Sequence, residues 1–153
     1  MAHPALNIAC YFVNRSLSEI EPISNMKLQK MVYIANGIYL AYKGKGLIRE
    51  NIEAWTYGPV VEPVYHFFKS FGNGDILRRI PDCELFHRSQ FNEDEISALD
   101  FTWDFCKKWD AIRLSNWSHT EGSPWYRAKR ENLSSIPNKY IEDYFKIFLK
   151  NNG

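Results

Sequence analysis

Ser24-Asn25-Met26-Lys27-Leu28-Gln29-Lys30-Met31-Val32-Tyr33-Ile34-Ala35-Asn36-Gly37-Ile38-Tyr39-Leu40-Ala41-Tyr42-Lys43-Gly44 is the stretch on which the fold turns. Leu28, Met31, Val32, Ala35, Ile38, Tyr39 and Tyr42 recur at helical spacing and make a wide apolar stripe, with Lys27, Lys30, Asn36 and Lys43 off it. Ser24 or Asn25 supplies the N-cap, and Gly44 and Gly46 stop the helix. A helix this apolar needs partners, and the rest of the chain offers them. Leu6, Ala9, Cys10 and Val13 mark a helix from Pro4 to about Arg15. Val60 to Phe71 reads as another, with Pro63 in its first turn. Asn92 with Glu95 spells a capping box ahead of Ile96, Leu99, Trp103 and Cys106. Short helices follow from Asp110 to Trp117 and from Ser123-Pro124, and Pro137 opens a last one facing Tyr140, Ile141, Tyr144, Phe145 and Phe148 inward. Asn151-Asn152-Gly153 reads as a frayed tail.

One short segment breaks the helical pattern. Asn51 to Tyr57 carries aromatics and a β-branched Thr, so it predicts a strand, stopped by Gly58-Pro59. Strand alternation would put Trp55 and Tyr57 on one face. Glu84 to Arg88 is the expected second strand, after a turn at Gly72-Asn73-Gly74-Asp75. The fold class is therefore mainly α (α+β): one compact helical domain over residues 1–153 with a small antiparallel β element.

The chain has 153 residues, 16% of them aromatic and 24% charged, which fits one folded domain with a sizeable core. A formal net charge of +1 argues against a surface built throughout for nucleic-acid backbones. Arg127, Lys129 and Arg130, near Trp117, Trp125 and Tyr126, form a small basic group, better read as a solvated helix face. Cys10, Cys83 and Cys106 are odd in number and widely spaced, suggesting neither a disulfide framework nor a metal site. Cys10 and Cys106 are expected to be buried small hydrophobes, and a reducing cytoplasm fits. Met1-Ala2-His3-Pro4 does not open a secretion signal, and no apolar run is long enough to span a membrane. His3, His66, His87 and His119 are scattered, with no pair at metal-ligand spacing, and no phosphate-binding glycine loop is present. No metal and no cofactor is expected.

Two segments carry the candidate site. Trp55-Thr56-Tyr57-Gly58-Pro59-Val60 sets two rings beside a rigid turn, as a pocket wall or simply as core. Ser118-His119-Thr120-Glu121-Gly122-Ser123-Pro124-Trp125 places a histidine among hydroxyls. A nucleophile–base pair of His119 with a hydroxyl or with Cys83 would need an orienting group and an oxyanion donor, and neighbours in sequence rarely provide that geometry. Thr120 or Ser123 as helix cap, with His119 bonded to loop backbone, is the plainer reading.

Three ordered blocks resemble the Panacea, or SocA-like antitoxin, family: Lys27-Leu28-Gln29-Lys30, Ala54 to Val60, and Ser118 to Trp125, in which Ser118 takes the place of the threonine usual before the histidine. The resemblance runs from about Ala5 to about Phe148. It implies a mainly helical fold with a small sheet and a non-enzymatic antitoxin that neutralises a cognate protein toxin by direct binding. It implies for some members an adaptor role handing the toxin to a protease, and for others a phage-associated setting. The partner-binding residues expected here are Trp55, Tyr57, Gly58, Pro59, His119 and Trp125; catalytic residues are none. The expected setting is bacterial cytoplasm, without membrane or nucleic-acid partners, and self-association is left open.

Overall fold

The computed structural model describes residues 2–152, so the expectations resting on Met1 and on Gly153 lie outside the described residues. Helix α2, Asn25–Lys43, is the axis of the molecule. Ser24 caps it, its side chain accepting the Lys27 N–H at 3.2 Å, and Gly44 ends it. Around it pack α1 (Ala5–Glu19), α4 (Glu93–Cys106), α5 (Ala111–Ser118) and α7 (Asn138–Asn152), with α3 (Glu62–Phe68) and α6 (Pro124–Arg130) completing the shell. The helical starts follow the capping chemistry. Asn92 and Glu95 exchange the two bonds of a capping box, Asp110 accepts the Arg113 N–H, and Ser123 accepts the Tyr126 N–H. α1 runs one turn beyond the expected Arg15. The frayed end expected at Asn151-Asn152 is instead the last turn of α7, where the Asn152 amide donates to the Phe148 carbonyl.

The apolar stripe of α2 is buried from Leu28 to Tyr39, whereas Tyr42 in the last turn is 59% exposed; Lys27, Asn36 and above all Lys30, all off the stripe, are buried as well. From Lys27 to Leu40 the helix is enclosed on every side and has no solvent face to give its polar residues. Each such residue must then find a partner inside. Asn36 accepts the Leu47 and Ile48 N–H groups at 2.9 and 3.3 Å, fastening the loop that follows the helix. Gly37 lets α7 lie close: a β-carbon there would stand 2.3 Å from the Phe145 ring.

The β element differs from expectation in its partners. β1 is Ile52–Trp55, and Thr56-Tyr57 form a turn rather than more strand, so Trp55 and Tyr57 do not share a strand face. Gly58-Pro59 does not stop the strand either; Gly58–Val60 is the returning strand β2, registered Trp55 to Gly58 and Glu53 to Val60. The third strand is β3, Ser135–Ile136, paired antiparallel with β1, giving the order β2-β1-β3. Residues 84–88 are not a strand. That region is held by 3-10 turns at Pro81–Cys83 and Arg88–Gln90, and upstream of it the Ile76 N–H bonds the Ile23 carbonyl at 2.8 Å, so the segment packs on the α1–α2 connection.

A disulfide joins Cys10 of α1 to Cys83, at a sequence separation of 73 and with both side chains fully buried. This corrects the expectation of three unlinked cysteines. An odd count conceals a pair whose proximity exists only after folding. Asn14, one turn further along α1, adds amide bonds to the Cys83 and Phe86 carbonyls at 2.8 and 3.1 Å. Cys106 stays free and buried, its thiol pushed up to about 12 by desolvation. No helix among the described residues is long and apolar enough to cross a membrane.

Candidate aromatic hairpin site

The β1–β2 hairpin stands at the junction of α2, α5 and α6, and each helix contributes a side chain that grips its backbone. The Trp125 indole N–H donates to the Trp55 carbonyl at 2.6 Å. The Ser115 hydroxyl donates to the Tyr57 carbonyl at 2.7 Å. The Lys30 ammonium donates to the Pro59 carbonyl at 2.9 Å, and the Val61 N–H donates to the Gln29 side-chain oxygen at 2.9 Å. Gln29 is itself oriented by the amide bond it gives to Asn25 at 2.9 Å. Four attachments over seven residues leave the turn little freedom.

Gly58 is where the packing is tightest. Its φ is +116°, and a β-carbon would meet the Ser118 hydroxyl at 2.8 Å and Lys30 at 3.3 Å. The absent side chain leaves the space in which those two polar groups sit. Ser118 donates to the Ser115 carbonyl at 2.8 Å. Among the described residues Lys30 has no carboxylate partner, and burial lowers its ammonium to about 8.

Exposure separates the expected residues. Gly58 and Pro59 are buried, as the inner face of the turn. Trp55, His119 and Trp125 are half-buried, and Tyr57 at the tip is 71% exposed. The rings form two edge-on pairs, His119 against Trp125 at 5.2 Å and Trp55 against Tyr65 at 5.1 Å. Trp55 links the two signature segments through its carbonyl, which accepts the Trp125 N–H, while its ring packs on Tyr65 of α3. Tyr65, Ser115, Gln29 and Lys30 belong to this site and escaped the sequence reading. Lys30 and Gln29 sit inside the first resemblance block, which was the available signal.

Among the described residues His119 is hydrogen-bonded to no hydroxyl, thiol or carboxylate. Its Nδ1 is buried without a hydrogen-bond partner, so the expected bond from the ring to loop backbone is not made there. Ser118 points into the helix backbone, and Cys83 is spent in the disulfide. Ser123 caps a helix start as expected, whereas Thr120 closes a helix end by donating to the Trp117 carbonyl at 3.0 Å. In the basic group on α6, Arg127 stacks on the Tyr140 ring at 3.7 Å and pairs with Glu131 at 3.3 Å, so one of its three charges is already engaged. Among the described residues no cluster of histidine, cysteine and carboxylate side chains could hold a metal ion.

The family model described as antitoxin SocA-like, Panacea domain, matches residues 28–126, which hold the hairpin and every side chain that grips it. The chain belongs to the SocA-like antitoxin family. Antitoxin SocA of Caulobacter vibrioides (strain NA1000 / CB15N) is 33% identical over 113 residues, covering 68% of this chain. The match covers 58% of that relative's own length. No solved structure matches the chain. Within this SocA-like domain, the matched span runs from α2 into α6 and so excludes α1, β3 and α7.

Proposed function

We propose that this protein is an antitoxin that neutralises a cognate protein toxin by direct binding, without catalysing a reaction, and that the aromatic hairpin is its recognition face. The observation that carries this reading is Tyr57, a large ring 71% exposed on a turn whose flanking carbonyls are held by three helices. An exposed aromatic on a rigid support binds without a large ordering cost and is the residue type that dominates interface energetics. Trp55, Tyr65, His119 and Trp125 are partly exposed rings on the elements that hold the turn, and Gly58 and Pro59 set its bend. Family membership supports the choice of a protein toxin as partner.

The test is co-expression with the toxin encoded beside its gene. Tyr57→Ala should lose rescue while its thermal unfolding matches the wild type; Leu77→Ala, an exposed apolar residue elsewhere, should rescue fully. Undiminished rescue by Tyr57→Ala and by Tyr65→Ala would remove the hairpin from the binding face. A proteolytic adaptor is the second reading, favoured by one observation. Phe105, Trp109, Trp117, Tyr144 and Ile147 line a separate groove of about 270 Å³ between α4, α5 and α7, giving the second surface that an adaptor needs. Recovery of protease subunits together with the toxin would distinguish it from simple occlusion.

A further inference from the structure

Lys27 and Lys30 lie one turn apart on α2, and both are buried, but they are satisfied differently. Lys30 donates a hydrogen bond to the Pro59 carbonyl. Lys27 is 9% exposed, and among the described residues its ammonium makes no hydrogen bond or ion pair. Its aliphatic stem is what is buried; the ammonium at its end reaches solvent, and partial desolvation lowers it from its ordinary value.

The side chain lines a cleft of about 300 Å³, between the start of α2, the Asp75 turn and the α4–α5 corner. That volume suits a group about the size of an amino acid. Trp109 forms one wall, its ring braced by the Arg113 guanidinium 3.9 Å away. Lys108 stands at the same cleft, in no ion pair among the described residues. Glu21, Asp75 and Asp110 also border it, and all three attract Lys27 only from beyond ion-pair distance. Asp110 is further committed to capping α5.

We infer that this cleft is a carboxylate-binding site, in which Lys27 supplies an unpaired cation at the end of a buried stem and Trp109 the wall against which the acid's carbon skeleton lies. Lys27 and Lys108 are the lysines at the cleft that no carboxylate among the described residues pairs, Lys107 being paired with Asp104 at 3.5 Å, and the three bordering carboxylates repel a singly charged acid less than a doubly charged phosphate. The acid is either a free small molecule or a carboxylate carried by a polypeptide. The cleft adjoins the hairpin, because Lys27 and Ala111 each stand one helical turn before a residue that grips it, Lys30 and Ser115. The site goes beyond the hairpin reading and stands without it.

The experiment is an NMR titration of the full chain labelled with 13C-lysine, following the Lys27 ε-methylene signal, assigned by its loss in Lys27→Met. The probes are N-acetylglycinate, N-acetylglycinamide, the peptide amide Ac-Gly-Glu-Gly-NH2 and inorganic phosphate. Saturable shifts are expected with at least one carboxylate and not with the neutral amide, weakened at least about tenfold in Lys27→Met, as for the loss of one charged hydrogen bond. N-acetylglycinate binding better than the peptide indicates a free acid; the reverse indicates a polypeptide carboxylate. If Lys27→Met does not fold, the wild-type difference between acetylglycinate and its amide decides. No saturable carboxylate binding, equal binding of the amide, or tighter binding of phosphate overturns the proposal. Tyr57→Ala should leave these titrations unchanged, so failure of the hairpin reading remains separate.

Discussion

The indole N–H of Trp125 reaches across 70 residues of sequence to the carbonyl of Trp55 at 2.6 Å, so the two aromatic segments of this chain are one structural unit. The bond ends β1 at a fixed place relative to α6, and the turn carrying Tyr57 begins at the next residue.

Trp125→Phe keeps a ring against His119 but removes the donor. The variant should lose about 1 kcal/mol of stability in urea unfolding, more if the Trp55 carbonyl finds no water. Tyr57→Ala, which removes an exposed ring, should lie within about 0.5 kcal/mol of wild type. Equal destabilisation by the two would contradict the division between support and recognition.

Gly58→Ala should be the more damaging small change. The new β-carbon sits 2.8 Å from the Ser118 hydroxyl, at a φ of +116° that L-residues rarely adopt. A cost of roughly 2–3 kcal/mol is expected from the backbone and contact together. Adding Ser118→Ala should relieve the contact and leave the backbone part, so the double variant recovers only partly.

Lys30 gives a pH signature. Its ammonium falls to about 8 on folding, from an ordinary value of 10.5 in the unfolded chain. Between those values the unfolded chain binds more protons, so stability should rise with pH across the window from about 8 to 10.5. Below pH 8 both states are protonated and the penalty is constant. Tyr33, raised by burial, acts in the opposite sense above its ordinary range, so the comparison is wild type minus Lys30→Met. The difference should change by up to on the order of 3 kcal/mol across the window. A flat difference would mean that Lys30 is solvated in solution.

The Cys10–Cys83 bond predicts redox-dependent stability. Under oxidising conditions Cys83→Ser should unfold with about 4 kcal/mol less stability than wild type, the scale for a loop of this length. With dithiothreitol present the gap should narrow to the effect of the substitution alone. Alkylation of the native oxidised protein should label no thiol, because Cys106 is buried and its thiol is pushed up to about 12.

Local chemistry was legible in the chain. Asn92 with Glu95, Ser123 with Pro124, and Ser24 before the long apolar run each announced a helix start, because a cap and its N–H partner lie within three residues. The rigid bend at Gly58-Pro59 and the rings beside it were visible for the same reason, and the three resemblance blocks pointed to the family. What lies far apart in sequence was not legible. β1 takes Ser135–Ile136 as a partner, Cys83 finds Cys10, and Lys30, which looked like a residue off the apolar stripe, finds the Pro59 carbonyl. Helical periodicity reports which face of α2 is most apolar; only the packing of its neighbours decides that the opposite face is enclosed too. Exposure of the site was settled in the same way. Trp55 and Tyr57 are equally aromatic in sequence, and the turn at Thr56-Tyr57 is what leaves one half-covered and turns the other out to solvent.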